Sequence, residues 1–167
     1  MIKLNRRAIL VNLVWFAVFL AVFFGVRAWQ QRDIVKGQVP LLAGKTLTGE
    51  VISGLRAGEP VLIHFWASWC RICRIEQDAI VAINQRHKVI SVAMQSGNDA
   101  AVMHHVAEQQ LDFPVINDES GELSRRFGVR VVPTTFVVDG DGNIRYVEVG
   151  FTSELGLRAR LWLAGLD

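Results

Sequence analysis

The feature that most constrains this chain is a run of 19 residues near the N-terminus that contains no charged side chain. The run extends from Ala8 to Val26, and within it only Asn12 and Gly25 fall outside the hydrophobic set. As an α-helix it would be about 28 Å long, because each residue adds ~1.5 Å, and that length spans the core of a bilayer. We therefore expect a transmembrane helix.

Charge divides at the same place in the chain. Residues 1–33 carry five Lys or Arg and one Asp, a net charge of +4, whereas residues 34–167 carry thirteen Lys or Arg and fifteen Asp or Glu, a net charge of −2. The basic excess of the whole chain therefore comes from the flanks of the apolar run. It gives no indication of a nucleic-acid-binding face, and no nucleic-acid partner is expected.

The apolar run indicates an anchor that stays attached. No small-x-small cleavage motif follows Val26, and the run is longer than the apolar part of a usual signal peptide. We expect a cytoplasmic N-terminus at 1–7, a transmembrane signal anchor at 8–28, a linker at 29–40 and one globular domain at 41–167. Basic residues flank both ends of the run, so the orientation rests on the short basic N-terminus, which favours the cytoplasmic side.

The rest of the chain alternates between strand and helix patterns. Apolar runs predict strands at 61–66, 89–94, 115–116, 134–138 and 144–149, and a short hairpin at 47–52 around Thr48-Gly49. Helical patterns cover 70–86, 99–110, 120–127 and a last segment ending near 164. This order predicts an α/β domain in which helices flank a mixed central β-sheet.

The two cysteines, Cys70 and Cys73, follow the predicted strand 61–66 and begin a predicted helix. Backbone N–H groups and the positive end of the helix dipole favour a thiolate at Cys70, and Arg71 and Arg74 add positive charge. A thiolate attacks disulfides, and Cys73, one turn later, could resolve the mixed disulfide. We expect a redox-active Cys70–Cys73 disulfide with Cys70 as the nucleophile.

Other uses of the two cysteines remain open at this point. A structural zinc site needs four ligands, and no histidine pair has a suitable spacing, so no metal and no cofactor are expected. An inert structural disulfide is a second alternative. The third is a non-enzymatic Cu(I)-binding, copper-tolerance protein that uses the same two thiolates.

Two segments carry a resemblance to a known family. The segment Phe65-Trp66-Ala67-Ser68-Trp69-Cys70-Arg71-Ile72-Cys73 resembles the active-site segment of the thioredoxin superfamily, and Val132-Pro133-Thr134-Thr135-Phe136 resembles its cis-proline loop. Residues 120–129 and 138–144 resemble the membrane-anchored TlpA-like branch, and within it the suppressor-for-copper-sensitivity D type. The common Gly-Pro between the cysteines is replaced here by Arg71-Ile72.

The resemblance implies a thioredoxin-like fold and an enzyme that is a protein disulfide oxidoreductase. It implies a single-pass protein of the bacterial inner membrane whose catalytic domain lies in the periplasm. The partners would be thiol- or disulfide-bearing periplasmic proteins and a membrane electron-transfer protein that resets the cysteines. Pro133 would form a cis bond that brings Val132 beside the cysteines, where Val132, Trp69 and Arg71 would bind substrate.

Two further side chains near the cysteines are singled out by their surroundings. Glu76 lies four residues after Ile72 and seven before Ile83, so it projects with the expected apolar stripe of its helix, which also includes Ile75. A buried carboxyl has a raised pKa and could exchange a proton with Cys73, so we expect Glu76 to be catalytic. His64 takes the position of a buried Asp of thioredoxins, and we favour a hydrogen-bonded core residue over a catalytic one.

Overall fold

The computed structural model describes residues 6–55 and 58–166 and divides into two compact units, Met1–Asp33 and Ile34–Asp167. In the first unit, helix α1 (Arg6–Gln31) contains Ile9–Val26, the one stretch among the described residues that is long and apolar enough to cross a membrane. None of this stretch is buried, which is compatible with a membrane anchor. Most of the expected cytoplasmic segment 1–7 and the final residue, Asp167, lie outside the described residues.

The second unit follows the expected alternation of strands and helices. Its strands are β1 (Gly37–Gln38), β2 (Ala43–Lys45), β3 (Val51–Ser53), β4 (Val61–Trp66), β5 (Lys88–Met94), β6 (Val115–Asp118), β7 (Thr134–Val138) and β8 (Asn143–Val149). Its helices are α2 (Arg71–Asn84), α3 (Asp99–Glu108), α4 (Glu122–Arg126) and α5 (Glu154–Ala164). The five strands and four helices expected beyond residue 60 are all present, with ends that differ by a few residues.

The main sheet is mixed, as the sequence predicts. Its strand order is β1-β8-β7-β4-β5-β6, with β4, β5 and β6 parallel and with β7 and β8 joined as an antiparallel hairpin next to β4. A separate antiparallel pair is formed by β2 and β3. Strand β4 therefore lies between β7 and β5 in the interior of the sheet. The residues that follow β4 leave the sheet at its edge, between the ends of these two neighbours.

Alternation along β4 supplies both hydrophobic cores. Leu62 and Trp66 belong to one cluster, together with residues of α2, α3 and α5, whereas Ile63 and Phe65 belong to the other, which includes Leu123 of α4. Successive side chains of a strand point to opposite faces, so the two clusters lie on opposite faces of the sheet. Every β4 side chain is buried, which explains why the sequence of this strand is apolar at every position except His64.

The structure orders residues that the sequence assigned to a linker. Helix α1 continues to Gln31, Ile34 is buried in the second unit, and β1 pairs with the start of β8. The two-residue strand β1 carries no hydrophobic alternation that could predict it. The hairpin between β2 and β3 is longer than the expected 47–52. Its turn is at the expected place, closed by the Gly49 N–H donating to the Thr46 carbonyl (2.9 Å), but β2 lies wholly before that range and β3 extends one residue beyond it.

Candidate functional site

Cys70 and Cys73 lie where β4 ends and α2 begins. Cys70 is the N-cap of α2, and its Sγ accepts a hydrogen bond from the Cys73 backbone N–H (3.1 Å). A disulfide joins the two residues, whose Cα atoms are 5.3 Å apart. Both are largely buried, with 7% of Cys70 and 4% of Cys73 exposed. An N–H aimed at Sγ from the first turn of a helix favours a thiolate when the disulfide is reduced.

The loop before β7 approaches Cys70 from the other side. The Val132–Pro133 peptide bond is cis, in agreement with the expectation for Pro133, and the Val132 carbonyl oxygen lies 3.6 Å from Cys70 Sγ. The Gly150 N–H donates to the Pro133 carbonyl (2.9 Å), which ties the loop to the end of β8. The structure therefore brings Val132 and Pro133 together with the cysteines, as the resemblance implies.

Glu76 lies in the interior beneath Cys73. It is fully buried, and its Oε1 accepts the Thr152 backbone N–H (2.8 Å), while Oε2 has no hydrogen-bond partner within the described part of the chain. Burial raises the pKa of Glu76 to about 7; the charge of Glu148 also raises it, and the Thr152 N–H acts in the opposite direction. A carboxyl with this pKa can hold or release a proton near neutral pH, one helical turn from Cys73.

His64 lines a small cavity that also reaches Cys73. Its Nδ1 is 2.9 Å from Thr135 Oγ1, and burial lowers the pKa of His64 to about 3, so the ring is neutral in the folded protein. Arg74 and His105 line the same cavity. The volume that the centre of a water molecule can occupy there is about 10 Å³, so the cavity has room for roughly one water. The hydrogen bond agrees with the favoured interpretation of His64 as a core residue.

The exposed rim of the site differs from the expected pattern on α2. Trp69 is 62% exposed and Arg71 is also exposed, so the side chains of these two predicted substrate-binding residues lie at the surface. Ile72 and Ile75, expected in the apolar stripe, are 50% and 65% exposed, because the buried face of α2 runs through Cys73, Glu76, Ile80 and Ile83. The prediction for these two isoleucines is wrong, and they instead form an apolar surface beside Cys70.

The turn 95–97 belongs to the site but was not predicted. It follows β5 and contacts the segment before Cys70 through Ser68 and Trp69. A signal for the turn was present, because Gln95-Ser96-Gly97-Asn98 separates a strand pattern from a helix pattern. Nothing in the sequence indicated that this turn contacts the segment immediately before Cys70.

Comparisons with known proteins agree with the geometry. The Redoxin family profile matches residues 43–159, which is more than half of the chain. A Thioredoxin-like protein of Haemophilus influenzae is 33% identical over 137 residues, which make up 80% of this chain and 81% of that protein. The Sporulation thiol-disulfide oxidoreductase A of Bacillus subtilis is 29% identical over 113 residues, or 64% of this chain and 68% of that protein.

A solved structure shows the same architecture. The crystal structure of StoA from Bacillus subtilis superposes with a TM-score of 0.64 at 26% identity, covering 72% of this chain and 98% of the other. The expected thioredoxin-like fold is thereby confirmed. With its cysteine pair joined as a disulfide at the start of α2, the chain belongs to the Redoxin family and is a thioredoxin-like thiol–disulfide oxidoreductase.

Proposed function

We propose that the protein exchanges disulfides with other proteins outside the cytoplasm, with Cys70 as the attacking thiol and Cys73 as the resolving thiol. The observation that carries the proposal is the Cys70–Cys73 disulfide at the N-terminus of α2, where the Cys73 N–H donates to Cys70 Sγ. This arrangement favours the thiolate of Cys70 over that of Cys73. The Val132 carbonyl beside Cys70 offers a backbone acceptor to an extended substrate segment.

The exchange conserves atoms and electrons in two steps. The Cys70 thiolate attacks one sulfur of a substrate disulfide, which forms a mixed disulfide and releases the other substrate sulfur as a thiolate. The Cys73 thiolate then attacks Cys70 Sγ, which forms the Cys70–Cys73 disulfide and releases the second substrate sulfur. Two electrons pass from the protein to the substrate, and the same steps in reverse oxidise a substrate dithiol.

Glu76 handles the proton of the resolving thiol. Cys73 must lose its proton before it attacks, and the nearby carboxyl of Glu76, whose pKa is raised to about 7 by burial, can accept it when ionised. In the reverse direction the protonated carboxyl returns the proton to Cys73. Oε2 of Glu76, which has no hydrogen-bond partner among the described residues, is the atom available for this transfer.

The proposed location is the periplasmic face of the bacterial inner membrane, with α1 as an uncleaved single-pass anchor. The exposed apolar stretch Ile9–Val26 and the basic N-terminus support this location. A membrane electron-transfer protein would return the cysteines to their working redox state. We further propose that the chain is of the suppressor-for-copper-sensitivity D type, on the residues quoted for that resemblance.

The test compares catalysis with metal binding. The reduced protein should accelerate insulin reduction by dithiothreitol, and Cys70→Ser should abolish the acceleration. Copper bound per chain is measured on the same samples: stoichiometric Cu(I) binding without insulin reduction would favour the copper-binding alternative. A phosphatase reporter that is active only outside the cytoplasm, fused after Asp167, tests the location, and an N-terminal sequence that begins after Val26 would contradict an uncleaved anchor.

A further inference from the structure

The turn 95–97 holds the backbone immediately before Cys70. The Ser68 N–H donates to Ser96 Oγ (3.0 Å), and the Trp69 indole N–H donates to the Gln95 carbonyl (3.1 Å). Ser68 and Trp69 are the last two residues before Cys70. The segment that leads to Cys70 is therefore covalently connected to β4 and is also hydrogen-bonded to the turn that follows β5.

Ser96 is itself fixed by the end of β5. Its Oγ donates to the Met94 carbonyl (3.1 Å) while it accepts the Ser68 N–H, and the residue is only 7% exposed. The hydroxyl thus uses its donor and one acceptor site in a place that water hardly reaches. Without this hydroxyl, the Ser68 N–H and the Met94 carbonyl would each lose a hydrogen-bond partner.

Gln95 adopts a backbone conformation that residues with a side chain rarely adopt, with φ at 46°. Its N–H donates to the Asp118 carbonyl (3.0 Å), and its carbonyl accepts the Trp69 indole N–H. Hydrogen bonds to both backbone groups of Gln95 therefore hold it in this conformation. Such locally unfavourable backbone tends to occur where function requires one geometry.

We propose that the turn 95–97 is a positioning element for Cys70, and that Ser96 is its principal positioning residue. The proposal rests on the proposed function, in which Cys70 attacks the substrate. Residues 67–70 form a separate turn, which is closed by the Cys70 N–H donating to the Ala67 carbonyl (3.1 Å). Ser68 lies inside this second turn. Holding Ser68 keeps Cys70 Sγ where the Cys73 N–H can donate to it.

Releasing Ser68 should therefore weaken the hydrogen bond to the sulfur. This bond stabilises the thiolate more than the neutral thiol, because a hydrogen bond to a charged atom is the stronger one. Among the described residues, the charged and titratable side chains around the cysteines include Arg71, Arg74 and Glu76 on α2, His64 on β4, His105 on α3 and Glu148 on β8, whose charge acts on Glu76. The turn contributes none, so a change confined to it acts through geometry and not through charge.

Ser91, which lies on β5, provides a matched control. Like Ser96, it is a buried serine that accepts an N–H, here from the Trp66 indole (3.2 Å), and donates to a backbone carbonyl, here that of Pro114 (3.1 Å). Its partner Trp66 belongs to β4 and lies outside the turn that ends at Cys70. Ser91→Ala thus removes the same kind of hydrogen bonds without releasing Ser68.

The test is the pKa of the Cys70 thiol in the reduced full-length protein in detergent, measured by peptide-resolved alkylation as a function of pH. We expect Ser96→Ala to raise this pKa by about 0.5 to 1 unit, which makes alkylation below the pKa about threefold to tenfold slower. Ser91→Ala should leave it unchanged, and Ser96→Thr, which keeps the hydroxyl, should return it toward the parent value.

An unchanged pKa in Ser96→Ala, or an equal rise in Ser91→Ala, would overturn the proposal. If Ser96→Ala does not fold, Trp69→Phe is the second test, because it removes the indole donor to Gln95 and keeps an aromatic ring. It should also raise the pKa of Cys70, and no rise would overturn the proposal. A Cys70 pKa above that of Cys73 in the parent protein would contradict the proposed function instead. In that case the difference in the Cys70 pKa between Ser96→Ala and Ser91→Ala still shows whether Ser96 positions Cys70.

Discussion

Thr152 donates its backbone N–H to a carboxyl oxygen of Glu76 (2.8 Å), which ties the helix carrying the cysteines to the start of α5. Glu76 is fully buried, and the loss of hydration disfavours its charged form more than this hydrogen bond favours it. The pKa of Glu76 is therefore raised to about 7. The carboxyl is therefore half-ionised near neutral pH. That property suits the proposed exchange of protons between Glu76 and the thiol of Cys73.

The first prediction concerns the order in which the two cysteines react. Cys73→Ser should accumulate covalent adducts with substrate proteins, because the mixed disulfide on Cys70 then lacks the thiol that releases it. Cys70→Ser should accumulate few adducts. Non-reducing gels of membranes from cells that carry each variant measure this, and adducts with Cys70→Ser alone would mean that the roles are reversed.

The second prediction concerns charge at the start of α2. The Cys70 thiol should have a pKa below the ~8.5 of a free cysteine, since the helix N-terminus and Arg71 both favour the thiolate. Arg71→Gln should raise this pKa by about 0.5 to 1 unit. Arg86→Gln, an exposed arginine just beyond the other end of α2, is the control and should have no effect. Equal pKa values in all three proteins, measured by thiolate absorbance, would refute the electrostatic argument.

The third prediction concerns the exposed apolar surface formed by Ile72 and Ile75. Protein substrates should bury these side chains on docking, whereas a small disulfide should not reach them. Ile75→Ser should therefore lower kcat/KM for insulin by about threefold to tenfold and leave the rate with oxidised glutathione unchanged. Leu163→Ser, an exposed leucine near the C-terminal end of α5, is the matched control. Parallel losses with both substrates would argue against docking at this surface.

The sequence predicted the elements that carry strong periodic or motif signals. The continuous apolar run of β4 and the Cys-x-x-C spacing located the reactive centre, and the resemblance located Pro133. The burial of Glu76 was predicted correctly, but partly for the wrong reason. The expected stripe included Ile72 and Ile75, whereas the helix turns Cys73 and Glu76 inward and leaves both isoleucines exposed.

The remainder depends on contacts between residues far apart in the chain, which local patterns do not encode. Strand β1 is ordered by pairing with β8, more than a hundred residues later. The hydrogen bond from Ser68 to Ser96 joins two loops whose meeting is set by the parallel pairing of β4 and β5. The face of α2 that is buried is the one that packs against α5 and β5, and the periodicity of a single helix carries no information about those neighbours.

The last prediction is that Glu76 and His64 have opposite effects on the pH dependence of stability. The pKa of Glu76 is raised from 4.5 to about 7, so between these values the folded state binds more protons than the unfolded state, and the free energy of unfolding falls as pH rises. The pKa of His64 is lowered from 6.5 to about 3, so between these values the unfolded state binds more protons, and the free energy of unfolding rises with pH. The two contributions nearly cancel between about pH 5 and about pH 6.

Substituting either residue should reveal the contribution of the other to the pH dependence of the free energy of unfolding. In Glu76→Gln only the histidine contribution is left, and the free energy of unfolding should rise by about 1 kcal/mol per pH unit relative to the parent. In His64→Gln it should fall by a similar amount per unit, because the buried carboxyl is then unopposed. Urea unfolding of the oxidised protein, in which the Cys70–Cys73 disulfide does not titrate, measures both slopes. Slopes of the same sign in the two variants, or slopes equal to that of the parent, would show that these groups do not have the protonation states derived from their burial.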